Sequence, residues 1–492
     1  MKHSSPSFWL FVLLILFIVG LQLGCAPATP AQQGRQILED AAAAMGGLAA
    51  LDAIENISRQ GTRQVSSIGH GRLTTEPAWV QPTRPYHPII DFTVPRDLVL
   101  NSRGDVVAMS DSTKGGYRDV LGRTLVPADG TDLSLSRREW DRDIARFLVH
   151  ALGQESTIEG VSETGEGQPS VNVRYIDGVL YKVHVDDASG LISRVEFTEA
   201  HDRFGDLARE WIFSDYRQVG DVQLPFSMTI KDMGMTARVL EWEEISINDP
   251  LQEDLFEIPE GIRETVASFA DDMSIRMTAT ELAKGVYFGE TKGMNSMWVE
   301  FQDFVLVVEG PNSEKQSLET MRQIKETIGE KPVRYLVTTH SHEDHNGGIR
   351  TYAAAGVTII TQERNETAIR DHLSYSFTLE PDRLANSPQE PKIELVTDRK
   401  TITDGTRTVE LLHGEAPHAD GSLLIYLPRE RLLFESDLFT ILRGQPGAGA
   451  IRPDSQFLYD TVTQAGWRVN QIVPGHGRLI EWKELADGAK SN

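Results

Sequence analysis

The sequence predicts an α/β protein: a β-rich N-terminal domain with helices at its start, then a C-terminal domain in which strands and helices alternate. Three observations predict this. Between residues 171 and 247, apolar and polar residues alternate in short runs parted by turn residues, the period of half-buried strands. After Ile275, short apolar runs alternate with amphipathic stretches such as Ser313 to Ile328, which places Leu318, Met321, Ile324 and Ile328 on one helical face. Between the two lies Asn248 to Arg263, with Pro250, Pro259 and Gly261, a natural boundary. A chain of 492 residues has room for two or three domains of ordinary size.

Taken in order, residues 1–25 read as a targeting segment. Lys2 and His3 give a weakly basic start, and Phe8 to Leu23 is almost uninterrupted Phe, Leu, Ile and Val, shorter than a comfortable membrane span. Leu23-Gly24-Cys25 resembles a bacterial lipoprotein processing box, although Gln22 stands where an aliphatic residue is usual. The resemblance implies export to the periplasm and membrane attachment through a lipidated Cys25. Secretion as a soluble protein, after cleavage at Ala28 or Ala31, is the alternative. Cys25 is the sole cysteine, so the mature chain has no disulfide. Residues 26–33, rich in Pro and Ala, read as a tether.

Residues 34–263 form the β-rich domain. Arg35 to Met45 has helical spacing and ends at Gly46-Gly47; Leu48 to Ile54 is a second short helix. Strands are expected at Val171 to Tyr175, Tyr181 to Val185, Leu191 to Thr198, Trp211 to Arg217, Gly220 to Ile230 and Ala237 to Ile247, with a hairpin turn at Asp187 to Gly190. His70, His87, His150, His184 and His201 are scattered and read as ordinary strand or loop histidines. The stretch Asp215 to Phe226, after helices and before more strands, is similar to the curved half-barrels of periplasmic lipoprotein-carrier proteins. That likeness implies a concave face able to hold an apolar ligand; a scaffold that positions the C-terminal domain is the alternative. Residues 264–274 read as a connector.

In residues 275–492, strands are expected at Gly285 to Gly289, Asn295 to Phe301, Phe304 to Glu309, Val333 to Val337 and Val357 to Thr361. A second set is expected at Lys392 to Thr397, Arg407 to Leu412, Ser422 to Leu427, Arg431 to Glu435 and Gln471 to Val473. Helices are expected at Ile349 to Ala355, Glu363 to Leu373, Ser455 to Ala465 and Glu481 to Ala489. Ser374 to Pro391 has three prolines and no clear period, so it is either a flap over the site or a surface insertion. Arg443 to Pro453 is Gly-rich and follows Asp437 closely enough to border the site.

The chemistry centres on His340-Ser-His342-Glu-Asp344-His345, after a buried strand and before Gly347-Gly348. Three histidines and two acids in six residues fit neither a core nor a turn pattern. Imidazole and carboxylate without thiolate suit a zinc-like divalent ion. His418, Asp437 and His476 each follow a further apolar run, so chain and loop order bring more ligands of the same type to strand ends. Together these residues resemble the metallo-β-lactamase superfamily, with matching contexts at Thr338-Thr339, Pro417-His418-Ala-Asp-Gly-Ser, Glu435-Ser436-Asp437 and Pro474-Gly475-His476-Gly477.

The resemblance implies an αβ/βα sandwich with metal ions at one edge. It also implies that His340, His342 and His418 hold a first zinc ion, that Asp344, His345 and His476 hold a second, and that Asp437 bridges them. Such ions lower the pKa of water from about 15.7 toward ~7. The expected activity is therefore hydrolysis of an ester-like bond in a small molecule (lactone, thioester, phosphodiester or β-lactam) by metal-held hydroxide, with Asp344 relaying a proton. Iron on the same ligands, with redox chemistry, is the alternative enzyme class; a lipid- or lipoprotein-binding module with an accessory metal domain is the alternative outside enzymes. Nearby, Glu343 reads as solvent-facing or as a support for a ligand, His413 as a loop residue, His372 as able to reach the cleft, Asp420 as orienting an imidazole, and Ser422 as structural. A net charge of −24 argues against nucleic acid as a partner.

Overall fold

The computed structural model describes residues 28–490 except 74, 77, 112–114, 119–124, 128–139, 164–168, 258–275, 292 and 442–450. The targeting segment with Cys25, the connector 264–274, most of the Gly-rich stretch after Asp437 and part of the expected domain boundary lie outside the described residues. Among the described residues, no helix is long and apolar enough to cross a membrane.

The first helix, Pro30–Ala44, begins inside the expected tether. Proline tolerates a first helical position, and Thr29 with Gln32 closes a reciprocal cap, Thr29 N–H to Gln32 Oε1 at 2.8 Å and Gln32 N–H to Thr29 Oγ1 at 3.2 Å. At Gly46 the backbone turns with φ +113°, and a Cβ there would lie 2.3 Å from the Asp221 carbonyl oxygen, so only glycine fits. The N-terminal domain is one 14-stranded antiparallel sheet. The expected strands are present, for example Leu180–Val185, Ile192–His201, Gly205–Val219 and Val222–Asp232. Among the described residues, eight more strands, seven from Asn56–Ile68 to Leu125–Pro127 and then Thr157–Glu163, and the helix Ile144–Leu152 were not foreseen. That helix is capped by Asp143, which accepts from Ala145 N–H at 3.0 Å. The two longer helices lay Leu38, Ala41, Phe147 and Leu148 on Val173, Tyr181, Val195 and Leu224 of the sheet.

The C-terminal domain is a four-layer αβ/βα sandwich. A seven-stranded sheet runs in sequence order from Thr278–Ala283 to Lys392–Val396, and a six-stranded sheet from Arg399–Thr403 to Ile480–Glu481. Val305–Val308 shows why its strands are apolar throughout. Leu306 and Val308 face the opposite sheet, with Phe434 and Val473, while Val305 and Val307 face outer helices through Ile324 and Tyr352. Helices Pro453–Gln464 and Trp482–Ala489 cover the second sheet. One expectation is corrected. Lys392–Val396 pairs in parallel with Thr358–Gln362 and so belongs to the first sheet. Segment 374–391 contacts the N-terminal domain: Asp206 accepts from Ser376 Oγ (2.8 Å), Thr378 N–H (2.9 Å) and Leu379 N–H (2.9 Å), so the segment docks one domain onto the other.

Candidate metal centre

All seven residues singled out by motif meet at one edge of the sandwich. His340 and His342 lie on the loop after strand Val333–Val337, and Asp344 and His345 on the single turn Glu343–Asn346. Asn346 Nδ2 donates to the carbonyls of His340 (2.7 Å) and His342 (2.8 Å), which folds the loop so that both rings face inward. His418 lies between strands Thr408–Gly414 and Ser422–Leu427; Asp437 follows Leu432–Glu435, and His476 follows Gln471–Pro474. Asp437 sits at φ +66°, a left-handed conformation rare outside glycine and concentrated at functional sites.

Asp437 is the hub. Its Oδ2 lies 2.9 Å from His345 Nε2, 3.2 Å from His418 Nε2 and 3.6 Å from His340 Nε2; its Oδ1 lies 3.2 Å from His476 Nε2. Asp344 Oδ2 approaches His476 Nε2 at 3.5 Å and His345 Nε2 at 3.6 Å. Among the described residues, two groups could each hold an ion: His340, His342, His418 and Asp437, and Asp344, His345 and His476.

The outer nitrogens of four imidazoles face oxygen. His340 Nδ1 lies 3.0 Å from Thr339 Oγ1, His342 Nε2 3.1 Å from the Gly71 carbonyl, His345 Nδ1 3.4 Å from Glu309 Oε1, and His476 Nδ1 2.9 Å from the Gly293 carbonyl. Metal-binding imidazoles are held this way, the outer nitrogen fixed so that the inner one presents a lone pair. Among the described residues, the inner nitrogen of His340, wholly buried, has no hydrogen-bond partner. A buried polar atom left so is costly unless an ion takes it. The donor set, imidazole and carboxylate alone, fits zinc.

Electrostatics agree with a cation site. Burial pushes the Asp437 carboxyl toward protonation, but His345 and His476 outweigh it and hold the group well below the usual carboxylate range. Burial acts likewise on Asp344 and is overcome by His345, His476 and His70. Burial and the neighbouring imidazoles hold His340 well below its ordinary value, so it stays a neutral donor.

Several residues were read differently from sequence. His70, taken as an ordinary histidine, enters the site: its Nε2 lies 3.0 Å from Asp344 Oδ1 and its ring centroid 5.0 Å from that of His342. Glu343 is not solvent-facing; it lies beneath Gly69, where a Cβ would come 2.3 Å from its side chain, and burial pushes its carboxyl up to about 8. His372 does not reach the cleft; it is buried with Tyr375. His413 is on a strand, with Nε2 3.0 Å from the Asp420 carbonyl, while Ser422 is structural as expected, donating to the Ala419 carbonyl at 2.7 Å. Glu309 was missed: a buried glutamate at φ +72° that also receives the hydroxyls of Thr339 and Ser436.

Residues 295–468 match the model of the Metallo-beta-lactamase superfamily. The C-terminal half carries a metallo-beta-lactamase superfamily domain. It is a metal-dependent hydrolase domain with a candidate His/Asp site. The chain is 22% identical over 207 residues to the "Metallo-beta-lactamase type 2" of Bacillus cereus, spanning 41% of this chain and 72% of the relative. Among solved structures, a metallo-beta-lactamase from Pontibacter korlensis matches at 18% identity, covering 44% of this chain and 98% of that one, with a TM-score of 0.33. A metal-soaked flavodiiron core from Synechocystis sp. matches at 13% identity, covering 44% of this chain and 60% of that one, with a TM-score of 0.35.

Proposed function

We propose that the superfamily domain is a dinuclear zinc hydrolase acting on an ester-like bond of a small molecule. The observation that carries this reading is the opposition of nitrogens: outer ones tied to oxygen, inner ones converging with both oxygens of Asp437 between the two groups. His340, His342 and His418 would hold one ion, Asp344, His345 and His476 the other, and Asp437 would touch both. Bound there, zinc supplies activated water and polarises the oxygen of the scissile group. The chain's own contribution is to hold Asp344 Oδ2 toward the cluster, where it can take a proton from water and pass it to the leaving group. Lactones, thioesters, phosphodiesters and β-lactams are the candidate substrates.

The test is elemental mass spectrometry of protein beginning at residue 26, followed by a screen of those four substrate classes. Close to two zinc ions per chain and turnover that a chelator abolishes are the expected results. One ion per chain would overturn the dinuclear reading, and iron in place of zinc would move the protein to redox chemistry. We further propose export and lipid attachment at Cys25, supported by the apolar run Phe8 to Leu23; membrane release of a Cys25→Ser variant would be the sign of it.

A further inference from the structure

The N-terminal domain sends one loop into the metal centre. After strand Asn56–Ile68 the chain turns through Gly69 at φ +74° and lies over Glu343. Its next residues make four contacts with two ligand-bearing loops. His70 Nε2 lies 3.0 Å from Asp344 Oδ1, the Gly71 carbonyl 3.1 Å from His342 Nε2, Arg72 Nε donates to the Pro417 carbonyl at 2.8 Å, and Asp420 N–H donates to the Arg72 carbonyl at 3.1 Å. His70 is itself steadied by the Ile68 carbonyl, 3.2 Å from its Nδ1.

The two contacts made with His342 and Asp344 fall on the side of each that faces away from the cluster. His342 presents Nδ1 to His418, 3.1 Å away, and its outer nitrogen meets Gly71. Asp344 presents Oδ2 to His345 and His476, and its outer oxygen meets His70. Thr339, Glu309 and Gly293 of the C-terminal domain do the same work for His340, His345 and His476. The outer supports of the centre are therefore divided between the two domains.

We propose that His70 and Gly71 are positioning residues of the metal centre, His70 for the ion held by Asp344 and Gly71 for the ion held by His342, so that full metal affinity requires the N-terminal domain. This rests on the metal-centre reading above. Outer supports of this kind change metal affinity by roughly 10–100-fold when removed. Gly71 has a second constraint: a Cβ there would lie 1.9 Å from the Glu76 carbonyl oxygen, so a side chain at this position shifts the loop.

The test uses the full chain, stripped of metal and titrated with zinc against a chromogenic chelator, with cobalt substitution read by visible absorption. His70→Ala is expected to weaken one of two zinc-binding steps tenfold or more and to change the cobalt spectrum. His70→Gln, whose amide can reach the same carboxylate oxygen, is expected to restore most of both. Gly71→Ala is expected to weaken the other step. Wild-type zinc binding with unchanged affinity and cobalt spectrum in His70→Ala and Gly71→Ala would overturn this inference alone. Failure of the wild-type chain to hold zinc would overturn the metal-centre reading and this inference with it.

Discussion

Glu309 Oε1 stands 3.4 Å from Nδ1 of His345, and both side chains are wholly buried. Burying a carboxylate is costly, and part of that cost is offset at Oε1, which receives the hydroxyls of Thr339 and Ser436 and faces the His345 ring. Burial lowers the affinity of His345 for a proton, but Asp344, Glu309 and Asp437 together outweigh it and raise the group well above its ordinary value. The same negative field favours a cation bound at Nε2. Glu309→Ala is expected to weaken zinc binding about 10–100-fold. Activity should fall at limiting zinc and recover as zinc is added, measured by chelator competition and a zinc-dependent rate curve.

Asp437 offers a cleaner separation of chemistry from folding. Its left-handed backbone, φ +66°, is tolerated by asparagine far better than by alanine. Asp437→Asn is therefore expected to fold with a near-normal urea midpoint while losing the anionic oxygen that lies between the two histidine groups. Turnover should drop at least ~100-fold and metal content should fall, with Asp344→Asn and His342→Ala losing turnover too. A zinc-loaded Asp437→Asn with normal activity would remove the bridging role.

The seven candidate residues were legible as a group because each is an imidazole or carboxylate shortly after an apolar run, and strand ends of both sheets converge at one edge of the sandwich. The sandwich was legible because strands such as Val305–Val308 are buried on both faces. The assignment of Lys392–Val396 to a sheet was not, since a short strand carries no mark of which neighbour it pairs with. His70 was not legible either. Its loop meets a motif 271 residues further on, between Gly71 and His342, and nothing local in Gly69-His70-Gly71 says which distant surface will cover it.

His201 makes the domain junction acid-sensitive. Its Nδ1 accepts the backbone N–H groups of Arg203 (3.1 Å) and Phe204 (3.3 Å), an arrangement that needs an unprotonated nitrogen. Burial, then the Arg203 and Arg209 charges, pull its pKa from 6.5 down to about 4. Below pH 6.5 the unfolded chain takes up this proton and the folded chain does not, so the stability it supports is intact above that pH and is lost as pH falls toward 4. The loss is on the order of 3 kcal/mol at most. The affected turn carries Arg203, which donates to Asn312 Oδ1 at 3.0 Å, and leads into Asp206. Urea unfolding at pH 7.5 and pH 5 should show a steeper decline for the wild type than for His201→Gln, whose amide oxygen accepts the same N–H groups without titrating.

Arg350 and Asp382 fix the docking segment from the other side. Both are buried, and the guanidinium binds the carboxylate through two nitrogens, with Nη2 at 3.1 Å from Oδ1, while also donating to the Leu373 carbonyl. Arg350 also lies over the Phe377 ring, 4.4 Å from its centre. Removing one partner of such a pair leaves an uncompensated buried charge, which costs about 3–5 kcal/mol. Arg350→Met is expected to fall in that range by urea unfolding. The double variant Arg350→Met/Asp382→Leu should recover part of the loss, because no lone carboxylate remains. Recovery should be incomplete by about 1 kcal/mol, because Asp382 also caps the short helix Arg383–Asn386, accepting from Ala385 N–H at 2.7 Å. A double variant no more stable than the single one would mean that the pair acts through the Leu373 and Phe377 contacts of Arg350 rather than through its charge.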